Sequence, residues 1–234
     1  MTDYEGQKRR AAEEAVRFVK DGMTLGLGTG STAAHVLRRL GERIRQEGLR
    51  VRAVPSSERS RKLAEEEGIP LVTFAEVQRL DLTIDGADEV DPAFRMIKGG
   101  GGALLRERVV AAASEQVVIA CDARKKVARL GAFPLPVEVV PFAWPLVQAQ
   151  LAKEGGRLEL RRDAAGQPFL TDGHHVILDW HLGEIADPEA LSKRIRRLPG
   201  VVDHGLFLGY PNFVLFGHEE GVETLAATPG DRLL

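Results

Sequence analysis

Three short segments of the chain carry residue types and spacings that chemistry uses. The first is GLGTGST at 26–32, which ends a short apolar run and opens a helical pattern. Glycines let a backbone turn tightly and approach a ligand closely. The free amides at the start of a helix favour an anion, and Thr29, Ser31 and Thr32 add hydroxyl donors around Gly30. The plainer reading is a tight turn with a serine N-cap. If the anion is a phosphate, it is a small monoester. A Walker loop needs Lys before Ser/Thr, where this chain has Gly30. A dinucleotide fold needs an acid after its second strand, where this chain has Pro55, Ser56 and Ser57.

The second segment is DGADEVD at 85–91, with carboxylates at Asp85, Asp88, Glu89 and Asp91. Asp85 and Asp88 flank Gly86 and Ala87, so a turn can point both acids one way. Such a pair suits sugar-hydroxyl recognition, proton transfer or a divalent cation. It is equally compatible with a solvated turn closed by Asx hydrogen bonds. The third segment is Lys98 followed by Gly99, Gly100, Gly101 and Gly102, opening a further helix. A glycine run is entropically costly. Its amides and the helix start suit a developing oxyanion, with Lys98 adding positive charge. Glu107 lies inside that helix with Ala103, Leu104, Val110 and Ala111 at helical spacing around it. Burial disfavours a carboxylate's charged form and raises its pKa, as a general base requires. Alternatively, Arg106 and Arg108 partner it on an exposed edge.

These segments need strands and helices to place them. The spacing predicts helices over 5–20, 31–47, 58–67 and 103–113, and strands over 23–28, 51–55, 71–74, 80–84 and 117–121. Apolar strands alternating with helices imply a parallel sheet covered on both faces. Ligands then bind beyond the carboxyl ends of the strands, where the first two segments lie. The proline-dense stretch 131–145 marks a domain border. Beyond it, a helix over 141–154, strands near 158–161 and 175–180, a helix over 188–198 and strands at 201–203 and 213–216 describe a smaller α+β domain. The chain after Gly205 returns to the first sheet.

Net charge of −2 and a pI near 6.3 argue against nucleic-acid or membrane-surface binding. No apolar run approaches the ~20 residues of a membrane span. The charged N-terminus lacks the apolar core of a signal peptide. Cys121, the single cysteine, fits a reducing cytoplasm and a buried structural thiol.

Taken in order, GLGTGST, SSERS, DGADEVD, KGGGGALLRE and FPLPVEVVP resemble the ribose-5-phosphate isomerase A family. The likeness continues through GGRLELR, TDGHHVILD and LPGVVDHGLF. It implies an α/β fold: a Rossmann-like parallel-sheet catalytic domain, 1–130 plus 206–234, and a smaller ferredoxin-like α+β domain, 131–205, that assists oligomerisation into a homodimer or homotetramer. It also implies a sugar-phosphate substrate, no cofactor and no metal. By motif position, Glu107 matches the catalytic base, Asp85 and Asp88 the hydroxyl-binding and proton-shuttling acids, and Lys98 the lysine beside the reacting carbons. Thr29, Gly30, Ser31 and Thr32, with Lys125 and Lys8, match the phosphate contacts, and Gly86, Ala87, Gly99, Gly100 and Gly101 line the substrate. Lys126 competes with Lys125 for its place, and Arg108 stands where many relatives have lysine. Two other classes remain open: a sugar-phosphate sensor, which would carry a DNA-binding segment ahead of the fold, and an acyl transferase using Glu107 as nucleophile.

Overall fold

A computed structural model describes residues 2–228; Met1 and 229–234, which belong to the expected range 1–130 plus 206–234, lie outside the described residues. The chain runs α1 (Tyr4–Val16), β1 (Thr24–Leu27), α2 (Ser31–Glu47), β2 (Arg52–Pro55), α3 (Glu58–Glu66), β3 (Leu80–Asp85), β4 (Glu89–Val90), β5 (Met96–Ile97), α4 (Leu104–Ala112) and β6 (Ser114–Asp122). It continues through β7 (Leu135–Val139), α5 (Trp144–Leu151), β8 (Arg157–Leu160), β9 (Val176–His181), α6 (Pro188–Ile195), β10 (Val201–His204), β11 (Leu206–Phe207), β12 (Phe213–Gly217) and β13 (Val222–Ala226).

The main sheet has the order β13-β12-β6-β3-β1-β2. All its pairings are parallel except that of β13 on β12. Its inner strands read as continuous apolar runs because both faces are covered. On one side, α1 supplies Ala11, Ala12, Ala15 and Val16 to a core shared with Val36, Leu37 and Leu40 of α2. The chain leaves β1 for β2 on one side and returns to β3 on the other. That reversal is a topological switch point, where open α/β sheets bind ligands. The segments that begin at Gly28 and end at Asp85 meet there.

The remaining strands form two antiparallel sheets, β10-β7-β9-β8 and β11-β5-β4. The former packs Val137, Leu178 and Trp180 against Val147 and Leu151 of α5 and Leu191 and Ile195 of α6. Strand β7 carries Pro136 inside a fully buried stretch. Proline cannot donate to a ladder. Its pairing with β10 ends at His204 opposite Val137, and the Pro136 carbonyl accepts from the Gly205 amide instead.

The chain divides into two compact units. One takes residues up to Ala87, Arg106–Lys126 and the chain from Gly209; the other takes Asp88–Leu105 and Val127–Leu208. This grouping puts Asp88–Leu105, 127–130 and 206–208 with the smaller unit, whereas the expected smaller domain is 131–205. Strand β5, within Asp88–Leu105, pairs with β11, a two-residue tie with no sequence periodicity.

Two local expectations are corrected. Residues 71–74 form no strand: Leu71 makes one isolated parallel bridge to Ala53. The helix expected over 141–154 is α5 flanked by 3-10 turns at Pro141–Ala143 and Ala152–Glu154. Pro145 fits the first turn of α5, where no amide partner is needed. Among the described residues, no helix is long and apolar enough to cross a membrane.

Candidate active site

In the first unit, the glycine loop and the first acid form one structure. The Gly28 amide donates to the Ile84 carbonyl, continuing the β1–β3 contact by one residue. A Cβ on Gly28 would lie 2.1 Å from Asp85 Oδ1, so only glycine allows the approach. Asp85 is buried at the end of β3, and its Oδ1 accepts from the amides of Thr29 at 3.0 Å and Gly86 at 2.7 Å. The carboxylate thus locks the loop to the strand end.

Gly30, with φ of 111°, is the N-cap of α2 and makes no side-chain cap. The first amides of this 17-residue helix are left to other partners, and together with the helix dipole they suit an anion. In contrast, α1, α3 and α6 are capped by Asp3, Ser57 and Asp187. Ser31 is exposed and Thr32 is nearly buried at the same end. The Thr29 hydroxyl meets the serines that follow β2. It donates to Ser57 Oγ at 2.8 Å and lies 2.9 Å from Ser56 Oγ. Ser60 closes the cluster by donating to the Gly28 carbonyl at 2.7 Å. These serines hold the loop from beneath; all three lie in SSERS, where Ser57 and Ser60 have the spacing of an N-cap and the third helical residue.

Glu107 is 3% exposed on α4. It therefore does not lie on an exposed edge; Arg106 forms an ion pair with Glu58 at 3.1 Å, and the Arg108 guanidinium lies 5.6 Å from the Tyr210 ring centroid. Lys125 ends a short turn after β6, capped by the buried Asp122. Its neighbour Lys126 is engaged with both Glu223 oxygens at 2.7 and 2.9 Å. Lys8 is ion-paired to Glu5 at 2.6 Å. The Lys8 ammonium, and next the His35 ring, hold the Glu5 carboxyl below the usual carboxylate range.

In the second unit, the acidic motif sorts itself. Glu89 is buried and accepts from the Gly131 and Phe133 amides, each at 2.6 Å. Asp91 is buried, accepts from the Ala93 and Arg95 amides and pairs with the Arg95 guanidinium. Both are structural. Asp88 is half-buried, and its Oδ2 accepts from the Gly100 amide at 2.7 Å. Gly99 has φ of 101°, and a Cβ there would lie 2.9 Å from Leu104 Cβ; a Cβ on Gly100 would lie 2.7 Å from Asp88 Oδ1. Gly100 and Gly101 are exposed. Lys98 is 4% exposed, with its ammonium 5.5 Å from the Phe207 ring centroid and its amide on the Gly205 carbonyl. Ala87, the last residue of the first unit, accepts a weak Sγ contact from the buried Cys121. Among the described residues, no three His, Cys, Asp or Glu side chains cluster as a metal ion would require.

Comparison with known proteins places these motifs in a family. A family model described as ribose 5-phosphate isomerase A (phosphoriboisomerase A) matches residues 52–221. Ribose-5-phosphate isomerase A of Methylorubrum populi is 55% identical over 229 residues, covering 95% of this chain and 97% of that protein. The protein of that name from Cereibacter sphaeroides is 50% identical over 225 residues, covering 93% and 90%. Among solved structures, ribose 5-phosphate isomerase A from Methanocaldococcus jannaschii matches with a TM-score of 0.90 at 42% identity, covering 95% of this chain and 99% of that one. A D-ribose-5-phosphate isomerase in complex with phospho-erythronic acid matches with a TM-score of 0.93 at 35% identity, covering 96% and 99%.

Proposed function

The chain belongs to the ribose 5-phosphate isomerase A family, and from that premise we infer that it interconverts D-ribose 5-phosphate and D-ribulose 5-phosphate through an enediolate. The relative solved with phospho-erythronic acid supports a phosphorylated sugar acid, and hence a sugar phosphate, as the kind of ligand this fold accepts. The observation that carries the reading is the bond from the Thr29 amide to Asp85. It ties an uncapped helix start, suited to phosphate, to an acid suited to sugar hydroxyls.

We assign the roles as follows. The phosphate rests on residues 29–32 with Lys125, and Lys8 after leaving Glu5. Asp85 and Asp88 assist ring opening. Glu107 takes the proton from C2 of the aldose. The charge that develops on the C1 oxygen is met by Lys98 and the amides of Gly99, Gly100 and Gly101. Glu107 returns the proton to C1, while a proton moves from the C2 hydroxyl to the C1 oxygen through Asp85. Atoms and charge balance without a cofactor or metal. The Rossmann-like domain, 1–130 plus 206–234, carries the chemistry in this reading. The smaller domain, 131–205, pairs subunits into a homodimer. Exposed Val140, Phe142 and Leu146 in the latter, with Phe142 96% exposed, support an interface there. The lone buried Cys121 agrees with a cytoplasmic setting.

The test is conversion of ribose 5-phosphate by purified protein with excess EDTA, in water and in deuterated water. Rapid conversion, with deuterium entering at C1 to the extent that Glu107 exchanges its proton, is expected. No conversion despite measurable ribose 5-phosphate binding would overturn the reading in favour of a sensor.

A further inference from the structure

The second glycine loop is held by a residue far away in sequence. Arg161 follows β8, and its side chain is largely buried. Its Nε donates to Asp179 Oδ2 at 2.8 Å, and a second guanidinium nitrogen bonds the other oxygen of Asp179. Its Nη1 donates to the Gly99 carbonyl at 2.9 Å and the Gly100 carbonyl at 3.2 Å. The Phe169 ring, 5.9 Å from the guanidinium, also fills the space above Gly102, where a Cβ would meet it at 2.5 Å.

In a trans peptide the C=O and N–H point in opposite directions. With both carbonyls turned to Arg161, the amides of Gly100 and Gly101 face the other side. The Gly100 amide bonds Asp88 there, at 2.7 Å. Glycines have no Cβ to restrict such peptides, so their orientation must come from outside the loop. A guanidinium fixed on one edge by a carboxylate is suited to this; a lysine, a single point charge, is not.

We propose that Arg161, braced by Asp179, is a positioning residue for the isomerisation: it sets the direction of the Gly100 and Gly101 amides and, through Gly100, the placement of Asp88. The proposal rests on the isomerase reading, in which those amides and Asp88 act on the substrate. A pair that merely joins β8 to β9 would affect stability and leave turnover alone.

The experiment measures kcat, KM and melting temperature for Arg161→Gln and Arg161→Lys, each alone and combined with Asp88→Asn. Arg161→Gln is expected to lower kcat by about 10- to 100-fold, the scale of a small misplacement of catalytic groups, with KM changed less than about 3-fold. In the Asp88→Asn background the same change is expected to lower kcat by a clearly smaller factor, because the share that acts through Asp88 is already lost and only the share that acts through the amides remains. Arg161→Lys, which keeps a cation on Asp179, should melt normally and still lose at least about 5-fold in kcat; it carries the test if Arg161→Gln does not fold. A folded Arg161 variant with kcat within about 2-fold of wild type, or an equal loss in both backgrounds, overturns the proposal and leaves the isomerase reading standing. An inactive wild-type protein overturns that reading as well, whereas a normal Asp88→Asn overturns the role given to Asp88 and with it this proposal.

Discussion

The two glycine loops look alike as sequence and are built differently. The loop after β1 is supported by residues of the adjoining motifs: Asp85 at the end of the neighbouring strand and Ser56, Ser57 and Ser60 after β2. Its glycines make room for Asp85 and leave the start of α2 uncapped. The loop after β5 is supported by Asp88 on one side and by Arg161, Asp179 and Phe169 on the other. The first loop offers a fixed helix end, which suits ground-state binding of a phosphate that does not change during the reaction. The second offers steered peptide groups, which suit charge that appears only in the transition state. Damage to the first should therefore register in KM and to the second in kcat, unless the damage reaches Asp85.

Gly28→Ala makes that exception and is the largest effect expected from the loops. The added methyl overlaps the Asp85 carboxylate, and displacing an acid by about 1 Å is worth about 10²-fold. Steady-state kinetics should show kcat/KM reduced on that scale; near-normal kinetics would mean that Asp85 tolerates movement. Lys125→Ala comes next. Loss of the proposed charge-assisted phosphate contact, about 1.5–3 kcal/mol, should raise KM roughly 10-fold or more with little change in kcat. Lys126→Ala, whose partner is Glu223, should leave KM within about 2-fold. Equal effects of the two lysines would remove the distinction between them.

Ser60→Ala is smaller and thermodynamic. It leaves the buried Gly28 carbonyl without its donor, at about 1–3 kcal/mol. Thermal melting should fall by about 2–4 °C for each kcal/mol lost, and an unchanged melting point would show that the serine cluster does not brace the loop. The smallest effect concerns pH. Lys126 holds the Glu223 carboxyl below its ordinary value. A depressed folded-state pKa adds stability above the unfolded value near 4.5, and that stability is lost as pH falls through the lower folded value. Glu223 is about a third exposed, so the pair contributes about 0–1 kcal/mol. Lys126→Ala should lower the melting temperature slightly at pH 7 and not at pH 3.

Much of this was legible in the sequence, for physical reasons that differ by region. The main sheet announces itself because strands buried on both faces are apolar throughout, as in VVIAC before Asp122. The apolar spacing around Glu107 foretells its burial. The acids of DGADEVD were not separable by type: Glu89 and Asp91 turn inward onto backbone amides, a choice made by the fold of 88–105. The strands β4, β5 and β11 are two residues each, too short for any periodicity. The run 71–74 has strand composition, but only Leu71 reaches a partner. Pro136 argued for a border and sits in a central strand, because the ladder on its amide side has already ended. Arg161 closes the GGRLELR run, but nothing in that run points to its partners. Its partners Gly99 and Gly100 are about 60 residues away, and only three-dimensional structure joins them.

The central claim is that a buried carboxylate moves the proton. Its most direct measurement is the turnover of Glu107→Gln beside its affinity for ribose 5-phosphate. General base catalysis predicts a kcat lower by about 10²–10⁴-fold, with binding retained, since the amide keeps the shape and loses the base. A variant that binds normally and turns over at a near-normal rate would contradict the account.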